Sequence, residues 1–200
     1  MTFELRSPPK AFVDISTMKN LRTEILYATR HNFTGAVLPG YSVAGAWLRQ
    51  EAAEKLSEVL VELQKYNLGL HVWDAYRPQR ATQAMVEWAE HSGKNHLLDE
   101  GYIARKSRHN SGAAIDLNTY DLTTGLCTPM GTDWDCFTAD SHTHNCDGII
   151  RENRLFLQSI MSQFGFEGYS KEWWHFQLLN ASSFPSIDVP YGVLEPLVFR

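Results

Sequence analysis

Apolar residues recur at three- and four-residue steps through residues 43–66, at Leu48, Ala52, Leu56, Val59, Leu60 and Leu63. That spacing lays one apolar stripe along a helix. Asn67-Leu68-Gly69 supplies a stop. A second helical pattern covers residues 79–91 through Ala81, Ala84, Met85 and Trp88. A third covers residues 148–163 through Ile149, Ile150, Leu155, Phe156, Ile160 and Met161. Residues 69–76 (GLHVWDAY), 113–121 (AAIDLNTYD) and 172–179 (EWWHFQLL) read as strands. The second of these is followed by a Thr123-Thr124-Gly125 turn. Helices and strands do not alternate regularly, which predicts an α+β fold. No repeat or Pro/Ser-rich linker divides the chain, so residues 1–200 read as one domain. The tail from Pro185 to Arg200 carries three prolines and is expected to lie over the surface.

Composition narrows the class. Hydrophobic residues make up 44% and charged residues 20% of the 200 positions. Such a chain is neither disordered, collagenous nor a coiled coil. The net charge is −5, without a basic run, which argues against a nucleic-acid partner. No apolar stretch approaches the ~20 residues of a membrane span. The start, MTFELRSPPKAF, lacks the charge and apolar pattern of a secretory leader. The expected location is therefore the cytoplasm, or the periplasm had a leader been removed. Cys127, Cys136 and Cys146 are too few and too oddly spaced for a disulfide framework or a Cys-x-x-Cys zinc site. They read as loop cysteines, with one disulfide open to an exported protein.

Candidate chemistry lies in three segments. In SRHNSGAAIDLN (107–118), His109 precedes Asp116 by seven residues, with small residues between them. A histidine and a carboxylate both suit a divalent transition metal, though alone they would pass for a loop histidine and a strand-end acid. In KEWWHF (171–176), Glu172 and His175 bracket two tryptophans within an apolar strand. Burying them there is costly unless they are paired or bound to metal. His109, Asp116 and His175 make three ligands and leave a fourth position open, as in a catalytic zinc site. Glu172 would then act as general base. In a regular strand, residues 172 and 175 face opposite sides, so the strand must bulge or twist for both to reach one ion. The HExxH helix motif is absent. In DAYRP (74–78), Arg77 sits where a strand ends and could hold a developing oxyanion.

Taken together, SRHNSGAAID, EWWH and DAYRP resemble the zinc D-Ala-D-Ala dipeptidases of the wider D-Ala-D-Ala peptidase family. The resemblance extends to LYATRHNFTGAVLPGY (26–41), GYIARKSRHNSG (101–112), MGTDWDCFTADSH (130–142) and FGFEGYSKEWWHF (164–176). It implies a small, mainly antiparallel sheet packed with helices, with the metal site at the sheet. By that resemblance His109, Asp116 and His175 hold one Zn2+ per chain, Glu172 is the base and Arg77 stabilises the tetrahedral intermediate. Asp135 would meet the substrate ammonium, Ser107 would line the site, and Tyr27 and Tyr41 would form pocket walls. The implied substrate is a small D,D-dipeptide, the context bacterial cell-wall metabolism, and a homodimer is compatible with it. The chain departs from the family pattern in having Ser111 before Gly112. His142, His144 and Cys146 could make a second metal site, but loop histidines are usually just solvated, which is the expectation for these. Alternatives are a D,D-carboxypeptidase acting on longer cell-wall peptides, a non-catalytic zinc module, or an interaction protein. Nothing in the sequence separates antibiotic resistance from D-Ala recycling.

Overall fold

The computed structural model describes residues 3–194. In chain order its elements are β1 (Phe3–Leu5), β2 (Phe12–Asp14), β3 (Leu21–Thr23), β4 (Trp47–Arg49), α1 (Gln50–Leu63), β5 (Leu68–Asp74) and α2 (Gln79–His91). There follow α3 (His96–Asp99), β6 (Ala114–Asp121), α4 (Gly148–Gln163), β7 (Phe166–Tyr169), β8 (Glu172–Leu178) and β9 (Gly192–Leu194). A five-stranded sheet runs in the order β3-β5-β6-β8-β7. Only its β3–β5 pair is parallel. Two small antiparallel ribbons, β1 with β9 and β2 with β4, accompany it. The expected α+β architecture with a mainly antiparallel sheet is present.

The longer elements follow their periodicities. Helix α1 buries Ala52, Ala53, Leu56, Val59, Leu60 and Leu63. Helix α4 buries Leu157, Ile160 and Met161. The two helices touch each other and the sheet. Their stripes join Leu70, Val72, Ile115, Leu117, Trp174, Phe176 and Leu178 in one core. The 3-10 turn after α1 ends at Asn67, whose φ of 58° places it in the left-handed region.

Two expectations change. The helix expected from residue 43 begins only at Gln50, because residues 47–49 form β4 against β2. There the Arg49 and Gln50 amides donate to the carbonyls of Gly112 and Ala11, and Trp47 and Leu48 are fully buried. Tertiary hydrogen bonds thus replace the first helical turns. The tail does not simply lie over the surface. Tyr191 is completely buried against Trp47, Tyr41 and Tyr76, and β9 pairs with β1. Residues 195–200 of that expected tail lie outside the described residues.

Candidate metal centre and active site

The site is built where β6 and β8 pair. Asp116 and His175 are register partners, so their side chains share one face. Residues 108–111 form a 3-10 turn that brings in His109. Ser107 Oγ accepts from the His109 amide at 3.3 Å, and Asn110 Oδ1 accepts from the Ser107 amide at 3.3 Å. This reciprocal cap fixes the turn. Gly112 ends it with φ 72° and lies against the Phe12 ring, which leaves no room for a Cβ.

His109 Nε2, Asp116 Oδ1 and His175 Nδ1 lie within 4.8 Å of one another. The separations are 3.2 Å (His109–Asp116), 3.1 Å (His109–His175) and 3.0 Å (His175–Asp116). His109 Nδ1 sits 2.6 Å from the Ala75 carbonyl, which can only accept, so Nδ1 carries the proton. Nε2 therefore turns a lone pair toward a carboxylate oxygen. Two acceptors held this close require a cation or a further proton between them. Ligands about 2.0–2.1 Å from a tetrahedral zinc lie about 3.3 Å apart, close to the observed spacing. The donor set fits a divalent transition metal. Burial opposes the Asp116 charge, yet His109 and His175 hold its pKa far below the ordinary carboxylate range. Burial lowers the His175 pKa, favouring the neutral imidazole that ligation needs.

The expected departure from a regular strand is present. Gly168 on β7 pairs with Phe176, while the next residue, Tyr169, pairs with Glu172. The irregularity in β8 breaks strict alternation, so Glu172 and His175 line the same 550 Å3 cavity with His109 and Asp116. Burial, followed by Asp116 and Asp135, raises the Glu172 pKa well above that of an ordinary glutamate. A second bulge, in β5 between Val72 and Asp74, sets Asp74 opposite Asp116. Asp74 is fully buried and orients Arg77. Arg77 Nε donates to Asp74 Oδ2 at 2.9 Å, and Nη2 lies 2.8 Å from the same oxygen. Arg77 Nη2 is also 3.8 Å from Asp116 Oδ2, and its guanidinium stacks over the Tyr27 ring.

Asp135 and Tyr27 both line the cavity, and the Tyr27 hydroxyl donates to Asp135 Oδ2 at 2.9 Å. Asp135 has φ 57°, a turn conformation that aspartate tolerates. Burial and, next, Asp116 raise its pKa well above the usual range. A cationic substrate group beside it would restore the carboxylate. Ser107 lines the cavity too, but its Oγ is already engaged as a cap. Tyr41 is not a pocket wall. It is completely buried behind the site, where its hydroxyl donates to Asp74 Oδ1 at 2.5 Å. Its position in the chain gives no hint of this, since β5 delivers Asp74 to it from 33 residues away.

Two residues with roles here carried no assignment from sequence. Asp74 stands three positions before Arg77 in DAYRP, a spacing that signals the ion pair in hindsight. Trp134 Nε1 donates to Asp116 Oδ2 at 3.3 Å and so positions a candidate ligand. It is adjacent to Asp135, but nothing local marks it. No second metal cluster forms among the described residues. His142 Nε2 instead lies 2.9 Å from the Tyr102 hydroxyl. All three cysteines are free.

Comparison with known proteins identifies the family. The family model described as D-Ala-D-Ala dipeptidase, peptidase M15, matches residues 10–191. A D-alanyl-D-alanine dipeptidase of Enterococcus faecium is 38% identical over 174 residues, covering 79% of this chain and 86% of the relative. Its counterpart in Streptomyces coelicolor is 34% identical over 184 residues, covering 84% and 90%. That of Escherichia coli is 35% identical over 176 residues, covering 86% and 87%. The chain is a member of the peptidase M15 family of D-Ala-D-Ala dipeptidases, a family of hydrolytic enzymes.

Proposed function

We propose that this protein is a zinc-dependent dipeptidase that hydrolyses D-Ala-D-Ala to two D-Ala. The observation that carries the proposal is the convergence of His109, Asp116 and His175 in one cavity with Glu172 and Arg77. A purely structural metal site needs neither a free carboxylate nor an arginine beside the ion. The names of the relatives support the choice of dipeptide.

His109 Nε2, Asp116 Oδ1 and His175 Nδ1 would hold one zinc per chain. Bound there, the metal would supply Lewis-acid polarisation and a water acidified toward neutrality. Glu172 takes the proton of the attacking water on its carboxylate. Its raised pKa lets it keep that proton until the amide nitrogen of the leaving D-Ala accepts it. Arg77, locked by Asp74, donates to the carbonyl oxygen as negative charge develops there. Asp135, with Tyr27 beside it, receives the substrate ammonium. Ser107 lines the same cavity. Pairing the ammonium next to the scissile bond selects short substrates over long ones.

We also infer one domain spanning the chain and a bacterial cytoplasmic setting. Among the described residues no helix is long and apolar enough to cross a membrane.

The test is hydrolysis of D-Ala-D-Ala against L-Ala-L-Ala and a D-Ala-D-Ala-terminated pentapeptide, with and without chelator and added zinc. The proposal expects chelator-sensitive release of D-Ala from the D,D-dipeptide alone. Faster cleavage of the pentapeptide would make the protein a carboxypeptidase. No cleavage by protein shown to hold one zinc would reject hydrolysis of this class.

A further inference from the structure

A second cluster of reactive groups lies on the sheet away from the metal centre. Cys127 Sγ is 3.2 Å from His71 Nδ1 and accepts from Arg22 Nη2 at 3.1 Å. On the other side of the imidazole, His71 Nε2 lies 3.1 Å from Glu24 Oε2. Three separate elements meet here. Arg22 on β3 is the register partner of His71 on β5, and Cys127 follows β6, bridging to Tyr120. Arg22 is held rigidly: its guanidinium lies 4.1 Å above the Tyr120 ring, and Nη1 donates to the Gly125 carbonyl at 2.8 Å. His71 is 9% exposed, and neither its Nε2 nor the buried Arg22 Nε makes a well-aligned hydrogen bond. Cys127 opens onto a 460 Å3 hollow with Trp73, Asn118, Thr128 and Trp134. That hollow shares no lining residue with the dipeptide cavity.

The dipeptidase reading uses none of these groups, and packing alone does not call for an arginine and an imidazole on one sulfur. We propose that Cys127 is a reactive thiol site that is oxidised by small hydroperoxides. The Glu24 carboxylate, 3.1 Å from Nε2, electrostatically favours the proton on that nitrogen, which leaves Nδ1 free to take the thiol proton. As the proton moves, sulfur attacks the terminal oxygen of the hydroperoxide. The O–O bond breaks, the S–O bond forms, and the departing alkoxide takes the proton back from His71. The products are a sulfenic acid and an alcohol, or water when the oxidant is hydrogen peroxide. Sulfur loses two electrons and the peroxide gains them. Arg22 stabilises the thiolate character of the sulfur during attack. Burial and then Arg22 lower the His71 pKa, consistent with a neutral imidazole that can act as a base.

The molecule contains its own controls, since all three cysteines are half-buried. Cys136 Sγ has only the Thr138 hydroxyl, at 3.3 Å. Cys146 donates to the Thr143 carbonyl and has the Arg154 guanidinium beside it, which also donates to the Met130 and His142 carbonyls, but among the described residues no imidazole nitrogen is hydrogen-bonded to its sulfur.

The experiment treats the zinc-loaded protein with hydrogen peroxide in the presence of dimedone. Mass spectrometry then follows labelling at each cysteine over time. Cys127 is expected to label at least about tenfold faster than Cys136 or Cys146. Arg22→Gln and His71→Gln are each expected to remove most of that advantage, with unchanged melting and dipeptide turnover as folding controls. Equal labelling of the three cysteines in the unmodified chain overturns the proposal, and this comparison needs no variant. Folded variants that both keep the Cys127 advantage overturn it as well.

Discussion

The two faces of strands β6 and β8 differ completely in chemistry although they share a backbone. One face presents Ile115, Leu117, Trp174, Phe176 and Leu178, all buried in the core with α1 and α4. The other presents Asp116 and His175, with Asn118 farther along β6. Period-two alternation alone separates them. The apolar face tolerates imprecision, because dispersion and burial are non-directional. The polar face does not, because each group is costly to bury unless its partner stands at a set distance. The two bulges occur on this side's account. They rotate Asp74 and Glu172 out of strict alternation so that more acids reach the site than a regular strand could deliver.

Substitutions on either face test whether the roles of the two faces are separable. The largest effect is expected on the polar one. Glu172→Gln should lower kcat by about 10²–10⁴-fold while zinc content, measured by atomic absorption, and melting temperature stay near those of the parent. Its neighbour behaves differently: His175→Ala should lose zinc itself. A Glu172→Gln protein with normal turnover would remove the base assignment.

Arg77 sharpens the contrast because it serves both stability and chemistry. Arg77→Ala should lower kcat about 10²–10³-fold. It should also destabilise the fold by about 3–5 kcal/mol, since Asp74 is then buried without its partner. Adding Asp74→Asn should recover much of the stability in denaturant titration and none of the activity. Recovery of both would mean that Arg77 acts only through the fold.

On the apolar face, Phe176→Ala should cost about 3–5 kcal/mol in urea unfolding. The folded fraction should still bind one zinc and turn over at the parental rate per site. A large drop in kcat at saturating zinc would show that the faces are not separable.

The smallest effect concerns the C-terminal segment. Arg80 Nε donates to both Asp188 carboxylate oxygens at 3.0 Å, tying that segment to α2. Burial works against the Asp188 charge, but Arg80 outweighs it and holds the pKa below normal. A depressed folded-state pKa stabilises above the unfolded value and fades as pH falls below about 4. Both side chains are largely solvent-exposed, so Asp188→Asn should cost less than about 1 kcal/mol near pH 7. The cost should shrink as the pH falls below the unfolded-state value of about 4 and disappear once the folded-state carboxylate is protonated as well.

Helices α2 and α4 and strands β5, β6 and β8 were legible from periodicity, with ends within a residue or two of the expected ones. Each is long enough for a repeat to declare itself. Strands β1 to β4 and β9 have three residues apiece and β7 has four, too few for any period. They exist because a partner strand supplies hydrogen bonds. The start of α1 failed for the same reason: its apolar residues fit a helix, but distant carbonyls claimed the amides of Arg49 and Gln50. The candidate ligands, Glu172, Arg77 and Asp135 were legible as residue types out of place in their segments or as matches to a known pattern. The placements of Tyr41, Trp134 and Asp74 were not legible, because what each side chain touches lies far away in sequence or depends on a strand irregularity.

The chain by itself determined which residues seek the core, where the longer elements run and which groups are chemically capable of holding a metal. These follow from local spacing and side-chain chemistry. The tertiary structure decided which of the capable groups meet. Three lone pairs about 3 Å apart come from a turn and two strands, and an arginine is aimed by an acid on a bulge. No local pattern encodes those distances, because they are set by strand register and backbone irregularity that only packing of the whole sheet fixes.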